Sequence, residues 1–179
     1  MAKQVALIED ETAIRENYSD ALVKHGYEVL SYSNRDSALK AFKQQLPDLS
    51  IIDIGLGDDV EGGFELCREL RGMSSSVPIM FLSARVSDLD TISGLRLGAD
   101  DYLTKDISIA QVLARVTALF RRIEALQSDE GKDDLHRVGK LSIDINSMRV
   151  EWKSNKIELT LTEFWMLHAL VKFPGHVKS

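Results

Sequence analysis

Five side chains in this sequence could together handle a phosphoryl group: Glu9, Asp10, Asp53, Ser83 and Lys105. Each sits at the end of a short apolar run, and the runs are Val5 to Ile8, Leu49 to Ile52, Pro78 to Leu82, and Tyr102 to Leu103. Three carboxylates brought together repel one another and resist joint ionisation. A divalent cation with oxygen ligands relieves that repulsion, and Mg²⁺ (or Mn²⁺) suits a few carboxylates plus retained water. Asp53 then has the chemistry of a carboxylate nucleophile toward phosphorus. The Lys105 ammonium and the Ser83 hydroxyl are the types that hold phosphoryl oxygens as charge develops. Taken singly, each residue is ordinary: an acidic pair in a solvated loop, a surface lysine, a turn-forming serine. The signal is joint placement, the groups falling at the carboxyl ends of four different strands.

The elements that must position them alternate. Apolar residues recur at helical spacing after each run: Ile14, Tyr18, Ala21 and Leu22; Ala38, Leu39, Ala41 and Phe42; Phe64, Leu66, Cys67 and Leu70; Leu89, Ile92 and Leu95. A second strand is expected at Tyr27 to Ser31, and a fifth helix from about Ile109 to Leu126, with Ser108 and Gln111 as a capping box. Five β/α repeats with near-continuous apolar strands predict an α/β doubly wound parallel sheet buried on both faces. Ligands in such sheets bind beyond the carboxyl ends of the strands, where these five residues fall.

After residue 124 the rhythm changes. Residues 125–137 are polar and charged and read as a linker. From Val138 the pattern alternates: Leu141, Ile143 and Ile145, then Val150 and Trp152, then Ile157, Leu159 and Leu161. This predicts antiparallel strands, followed by a helix capped at Thr162 with Phe164, Leu167, Leu170 and Val171 on its apolar side. Trp152 and Trp165 are expected in the core of this second, small α+β region, residues 138–179.

Composition bounds the function. Net charge is -6, so any contact with nucleic acid needs a local basic surface rather than bulk attraction. One cysteine excludes an intrachain disulfide, and no segment is long and apolar enough for a signal peptide or a membrane span, which fits the cytoplasm. The four histidines have no metal-ligand spacing, and there is no Walker loop or GxGxxG.

Residues 3 to 123 resemble the receiver domains of two-component response regulators, which implies the (βα)5 flavodoxin/CheY-like sheet with strand order 2-1-3-4-5. The resemblance rests on Glu9-Asp10, Asp53, Ser83-Ala84 and the run Gly98-Ala99-Asp100-Asp101-Tyr102-Leu103-Thr104-Lys105. It implies that Asp53 accepts phosphoryl from a sensor histidine kinase and that Glu9, Asp10, Asp53 and the Gly55 carbonyl hold Mg²⁺. It further implies that Ser83, Ala84 and Lys105 surround the phosphoryl group and that Tyr102 reports its arrival. Gly139 to Ser179 is similar to the opening of the winged-helix effector of the OmpR/PhoB subfamily, through Leu159-Thr160, Glu163-Phe164, Leu167 and Leu170. That resemblance places the recognition helix and wing later than Ser179. The expectation is therefore a full-length protein that binds promoter DNA and a chain, as given, that reads no bases. It also implies a phosphorylation-dependent homodimer through the fourth helix, fifth strand and fifth helix, with Ile92, Leu95 and Leu113 as apolar contacts and Asp101 with Arg115 as a charge pair.

The sequence departs from the family at several points. Asp106 stands where proline usually follows the lysine across a cis peptide; a non-proline cis bond costs about 2.5–4 kcal/mol. The loop from Gly55 to Gly63 lacks the common proline and runs about two residues long. Gly55 offers no side chain to shield a phosphoryl group, whereas Arg85 could overhang it, and these two positions are expected to set the lifetime of the phosphate. Thr91 with Gln111, and Arg96 with Thr117, replace other charge pairs of the dimer face.

Three other readings compete. A phosphatase with an aspartyl nucleophile would usually carry a second aspartate two residues later, where Gly55 stands. A flavodoxin-like carrier would need a Ser/Thr/Gly-rich phosphate loop after the first strand. A receiver module with a protein-binding output differs only in what lies downstream. The first reading, a switch rather than an enzyme, fits the residues best.

Overall fold

The runs that end in charged residues form five parallel strands: β1 (Gln4–Ile8), β2 (Glu28–Tyr32), β3 (Leu49–Ile52), β4 (Ile79–Ser83) and β5 (Asp101–Thr104). Their order is β2-β1-β3-β4-β5, as the resemblance implies. The computed structural model describes residues 2–127, 135–145 and 148–172. It divides into two compact units, Met1–Val116 and Thr117–Ser179.

Strands β1, β3 and β4 are buried almost throughout. Helices α1 (Thr12–Lys24), α2 (Arg35–Phe42), α3 (Gly62–Met73), α4 (Asp88–Arg96) and α5 (Ile109–Gln127) follow the strands in turn. Buried apolar side chains such as Ile8, Ile52, Phe64, Leu66, Cys67, Leu70 and Phe81 form a continuous core of close-packed rings and branched chains. The register aligns the strand ends. Ile8 lies opposite Ile52, and Ser83 opposite Thr104. The residue after each strand therefore emerges at one edge.

Local chemistry explains the helix starts. Asn34 caps α2 by accepting the Ser37 N–H, and Ser87 caps α4 by accepting the Asp90 N–H. At α5 the Ser108 and Gln111 bonds are reciprocal, as expected. At the start of α3, Gly63 donates its N–H to the Ile54 carbonyl, and a Cβ there would sit 2.0 Å from the Asp53 carbonyl oxygen. Only glycine lets the helix approach the strand so closely. The division between units falls inside α5, before the expected boundary at residue 124.

The second unit holds four antiparallel strands in sequential order, β6 (Leu135–Val138), β7 (Leu141–Asp144), β8 (Arg149–Trp152) and β9 (Asn155–Ile157), then α6 (Leu161–Val171). Several expectations need correction here. Leu135 to Arg137, read as linker, belong to β6, because that strand buries little and carries no apolar run; α5 likewise extends through Gln127. The third predicted strand ends at Ile157, and Leu161 opens the helix instead. Thr160, not Thr162, is the cap, in a complete capping box with Glu163. The helix buries Leu161, Phe164, His168 and Val171, whereas Leu170 is exposed. Trp152 is exposed as well; Trp165 packs partly against the core.

Candidate functional site

The shared edge of the parallel sheet gathers the predicted residues. Asp53 follows β3, its backbone N–H donating to the Ile8 carbonyl at 2.9 Å. Glu9 follows β1, its N–H donating to the Tyr32 carbonyl. Lys105 follows β5, with its N–H on the Ser83 carbonyl at 2.9 Å. Ladder bonds of the sheet thus set the positions of the reactive side chains directly.

The side chains meet at that edge. Lys105 Nζ lies 2.7 Å from Asp53 Oδ2 and 2.7 Å from Glu9 Oε2. Asp53 Oδ1 accepts the Ile54 N–H at 2.6 Å. The ligand oxygens of Glu9, Asp10 and Asp53 lie within 4.8 Å of one another. Asp10 is half-buried and accepts the Gly57 N–H at 3.1 Å. Three carboxylates thus face one ammonium, and the pocket keeps an excess of negative charge. Burial pushes the Glu9 carboxyl above its ordinary value, and the bond from Lys105 offsets this only in part. Burial alone would lower the Lys105 ammonium, but its bonds to Asp53 and Glu9 outweigh that and hold it above the ordinary value. Lys105 is therefore charged at neutral pH.

The neighbouring groups fall as the sequence suggests, with exceptions. Ser83 is buried and its Oγ accepts the Arg85 N–H; Ala84 is exposed beside it. Tyr102 is half-buried, and its hydroxyl donates to the Arg85 carbonyl at 3.0 Å. Burial raises its phenol above the ordinary value. Gly55 lies half-buried at the start of the loop after β3. No cis peptide occurs among the described residues, so Lys105 reaches the carboxylates without one. Arg85 engages the loop after β3 and the first turn of α4. Its guanidinium is held by Glu61 (3.1 Å), Asp90 (3.2 Å) and the Val60 carbonyl.

On the face expected to dimerise, Ile92 and Leu95 are exposed, so the apolar spacing of α4 points outward rather than to the core. Gly94 faces inward instead, where a Cβ would touch the rings of Phe81 and Tyr102 at 3.0 and 3.1 Å. Leu113 is half-buried, and Arg115 pairs with Asp101 at 3.5 Å within the same chain.

Sequence reasoning missed Arg15. Its guanidinium donates to the carbonyls of Glu9 (2.6 Å) and Asp10 (3.0 Å), fixing the backbone of the acidic pair. Position gave a faint hint, since Arg15 lies one helical turn into α1, but nothing in its type distinguishes it from a solvated arginine.

Comparison with known proteins agrees with this geometry. Residues 5–117 match the response regulator receiver domain family. The chain is 35% identical over 175 residues to the transcriptional regulatory protein CreB of Escherichia coli, covering 98% of this chain and 74% of that protein. It is 36% identical over 182 residues to the alkaline phosphatase synthesis transcriptional regulatory protein PhoP of Bacillus subtilis, covering 99% and 75%. Among solved structures, the BeF3-activated receiver domain of Klebsiella pneumoniae RstA matches with a TM-score of 0.61 and 33% identity, over 66% of this chain and 99% of that one. Thermotoga maritima DrrB, an OmpR/PhoB homologue, matches with a TM-score of 0.63 and 26% identity over 100% of this chain and 76% of that one. With the parallel sheet, the acidic edge and these relatives in agreement, the chain belongs to the OmpR/PhoB-type response regulators of two-component systems.

Proposed function

We propose that Asp53 accepts a phosphoryl group from a sensor histidine kinase and that its arrival switches a DNA-binding, transcription-regulating output. The observation that carries this reading is the Lys105 ammonium, 2.7 Å from both Asp53 and Glu9, inside a group of three converging carboxylates. An Asp53 oxygen attacks phosphorus, the bond from phosphorus to the donor breaks, and the donor leaves with the electron pair. The product is an acyl phosphate. Lys105 stabilises charge on the phosphoryl oxygens. The Ser83 hydroxyl, buried at the end of β4, bonds another of those oxygens and draws on the segment that carries the Arg85 carbonyl and hence Tyr102.

The donor set is all hard oxygen, which fits Mg²⁺ or Mn²⁺ better than a softer ion. Glu9, Asp10, Asp53 and the Gly55 carbonyl would hold it. When bound, the cation neutralises the excess negative charge of the pocket and of the incoming phosphoryl group.

The receiver corresponds to about residues 1–124 and the effector portion to about 135–179, beginning with β6. In the full-length protein the output contacts promoter DNA. Phosphorylation favours a homodimer through α4, β5 and α5, where Ile92 and Leu95 lie exposed. The protein acts in the cytoplasm, and among the described residues no helix is long and apolar enough to cross a membrane.

Intact-mass analysis tests the reading. Incubation with acetyl phosphate and Mg²⁺ adds one phosphoryl group to the wild-type chain and none to Asp53→Ala. A gain that persists in Asp53→Ala, or continuous turnover of acetyl phosphate at a rate untied to the phosphorylated species, would sink it.

A further inference from the structure

Arg85 lies two residues beyond Ser83 and makes contacts that the family resemblance does not specify. Its backbone N–H donates to Ser83 Oγ at 3.3 Å, and its carbonyl accepts the Tyr102 hydroxyl at 3.0 Å. Its side chain reaches elsewhere. One guanidinium nitrogen bonds both Glu61 and Asp90, and another bonds the Val60 carbonyl. Val60 and Glu61 end the loop after β3; Asp90 lies in the first turn of α4 and also accepts a bond from the Ser87 hydroxyl at 2.7 Å. The other end of that loop is tied to the acidic edge, through the Gly57 N–H on Asp10. Arg35 of α2 also ties the loop, pairing with Asp59 at 3.4 Å and with Glu65 in the first turn of α3. Asp53 itself is only 8% exposed, so access to it depends on how the segments around it are held.

We infer that Arg85 is a latch that slows phosphoryl exchange at Asp53, tying the β3–α3 loop to the first turn of α4 and holding the segment that contacts Ser83 and Tyr102. This rests on the reading of Asp53 as phosphoacceptor. The latch uses residues of the lengthened loop, Val60 and Glu61, so it belongs to this chain. An arginine suits the task because its planar fork can serve three acceptors at once. Each ion pair is partly exposed and weak alone. Three contacts sharing one guanidinium restrain the segment without locking it. With the latch closed, donor and water reach Asp53 seldom. With it open, phosphoryl enters and leaves faster.

The test uses the whole chain with acetyl phosphate and Mg²⁺, followed by intact mass over time. The donor is then removed and decay of the phosphorylated species is followed at low salt and near 1 M NaCl. Arg85→Ala is expected to gain and lose phosphoryl about three- to tenfold faster, with Glu61→Gln and Asp90→Asn each part of the way. Decay is attack by neutral water, so with Mg²⁺ kept saturating at both salt concentrations its salt dependence reports the latch. At about 1 M salt the screening length is about 3 Å. Wild-type decay should then approach that of Arg85→Ala, whose own rate stays flat, an effect a merely structural role for Arg85 does not produce. Should Arg85→Ala fail to fold, Glu61→Gln, Asp90→Asn and the salt series decide the matter. Wild-type rates in both loop variants, or wild-type decay indifferent to salt, overturn the latch. A wild-type chain that takes up no phosphoryl group at all overturns the Asp53 reading, and the latch with it.

Discussion

The two sheets of this protein solve the problem of backbone burial in different ways. In the first unit β1, β3 and β4 are covered on both faces, so nearly every side chain along them is apolar and the polar groups appear only where the strands end. In the second unit β6 and β9 are largely exposed, and each of β7 and β8 buries one residue fully. Its core is a small cluster around Ile143, Val150, Leu161 and Phe164. The first arrangement collects chemistry at one edge because there is nowhere else to put it. The second spreads polar residues along its faces, and its buried surface is smaller. Stability in the first unit is therefore shared among many contacts, whereas in the second it hangs on few.

The largest expected effect tests how tightly the first unit is built around its site. Gly63→Ala would drive a Cβ to 2.0 Å from the Asp53 carbonyl oxygen and 2.6 Å from the Ile54 Cα. Both obstacles are backbone, so α3 must move away from β3. Destabilisation of roughly 3 kcal/mol or more is expected, with slower phosphorylation, because the peptide that moves is that of Asp53 itself. Denaturant unfolding with parallel mass analysis checks it. Wild-type stability in this variant would mean that the close approach of helix and strand is not required.

Phe164→Ala probes the other side of the comparison. Phe164 is buried at the centre of the small cluster, and truncation of a buried phenylalanine costs about 3–5 kcal/mol. A small core cannot absorb that loss. The far-UV signal of the second unit should disappear while Asp53 still takes up phosphoryl from acetyl phosphate. Loss of phosphorylation in the folded first unit of this variant would show that the acidic edge depends on the second core, against the division drawn here.

The same contrast explains what could be read from the sequence. The ends of β1, β3 and β4 were legible because burial on both faces leaves continuous apolar runs, and a polar residue at the end of such a run stands out. Glu9, Asp53 and Ser83 announced themselves that way, whereas Lys105 followed only the short run Tyr102 to Leu103 of the less buried β5. The second unit was harder. Strand β6 has the burial pattern of an edge, with no alternation to find, and it fell within an expected linker. The cap of α6 was displaced by two residues because Leu159 and Leu161 continue an alternation that the chain abandons at Thr160. Arg15 was opaque for another reason, and Arg85 was singled out without the partners it holds. Their roles depend on which carbonyls and carboxylates the fold brings near them, and a guanidinium looks the same in sequence whether it is solvated or gripping a loop. The outward spacing of Ile92 and Leu95 also misleads a reader who takes apolar periodicity for core, since Gly94 is the residue that α4 turns inward.

The smallest expected effect compares two helix caps of similar chemistry. Asn34 caps α2 in the first unit, and Thr160 caps α6 in the second, where Glu163 returns a bond to the Thr160 N–H at 2.9 Å. Replacing either by alanine leaves one backbone N–H without its side-chain acceptor and costs about 1 kcal/mol. The local loss is alike, but the consequence is not. A given free-energy change moves the midpoint of a small cooperative unit further, because the entropy of unfolding scales with the number of residues that melt. Thr160→Ala should thus lower the midpoint of the second unit by more degrees than Asn34→Ala lowers that of the first, read by calorimetry on both variants. Equal shifts in a single shared transition would mean that the chain melts as one body, and the contrast between a distributed core and a concentrated one would then have no thermal consequence.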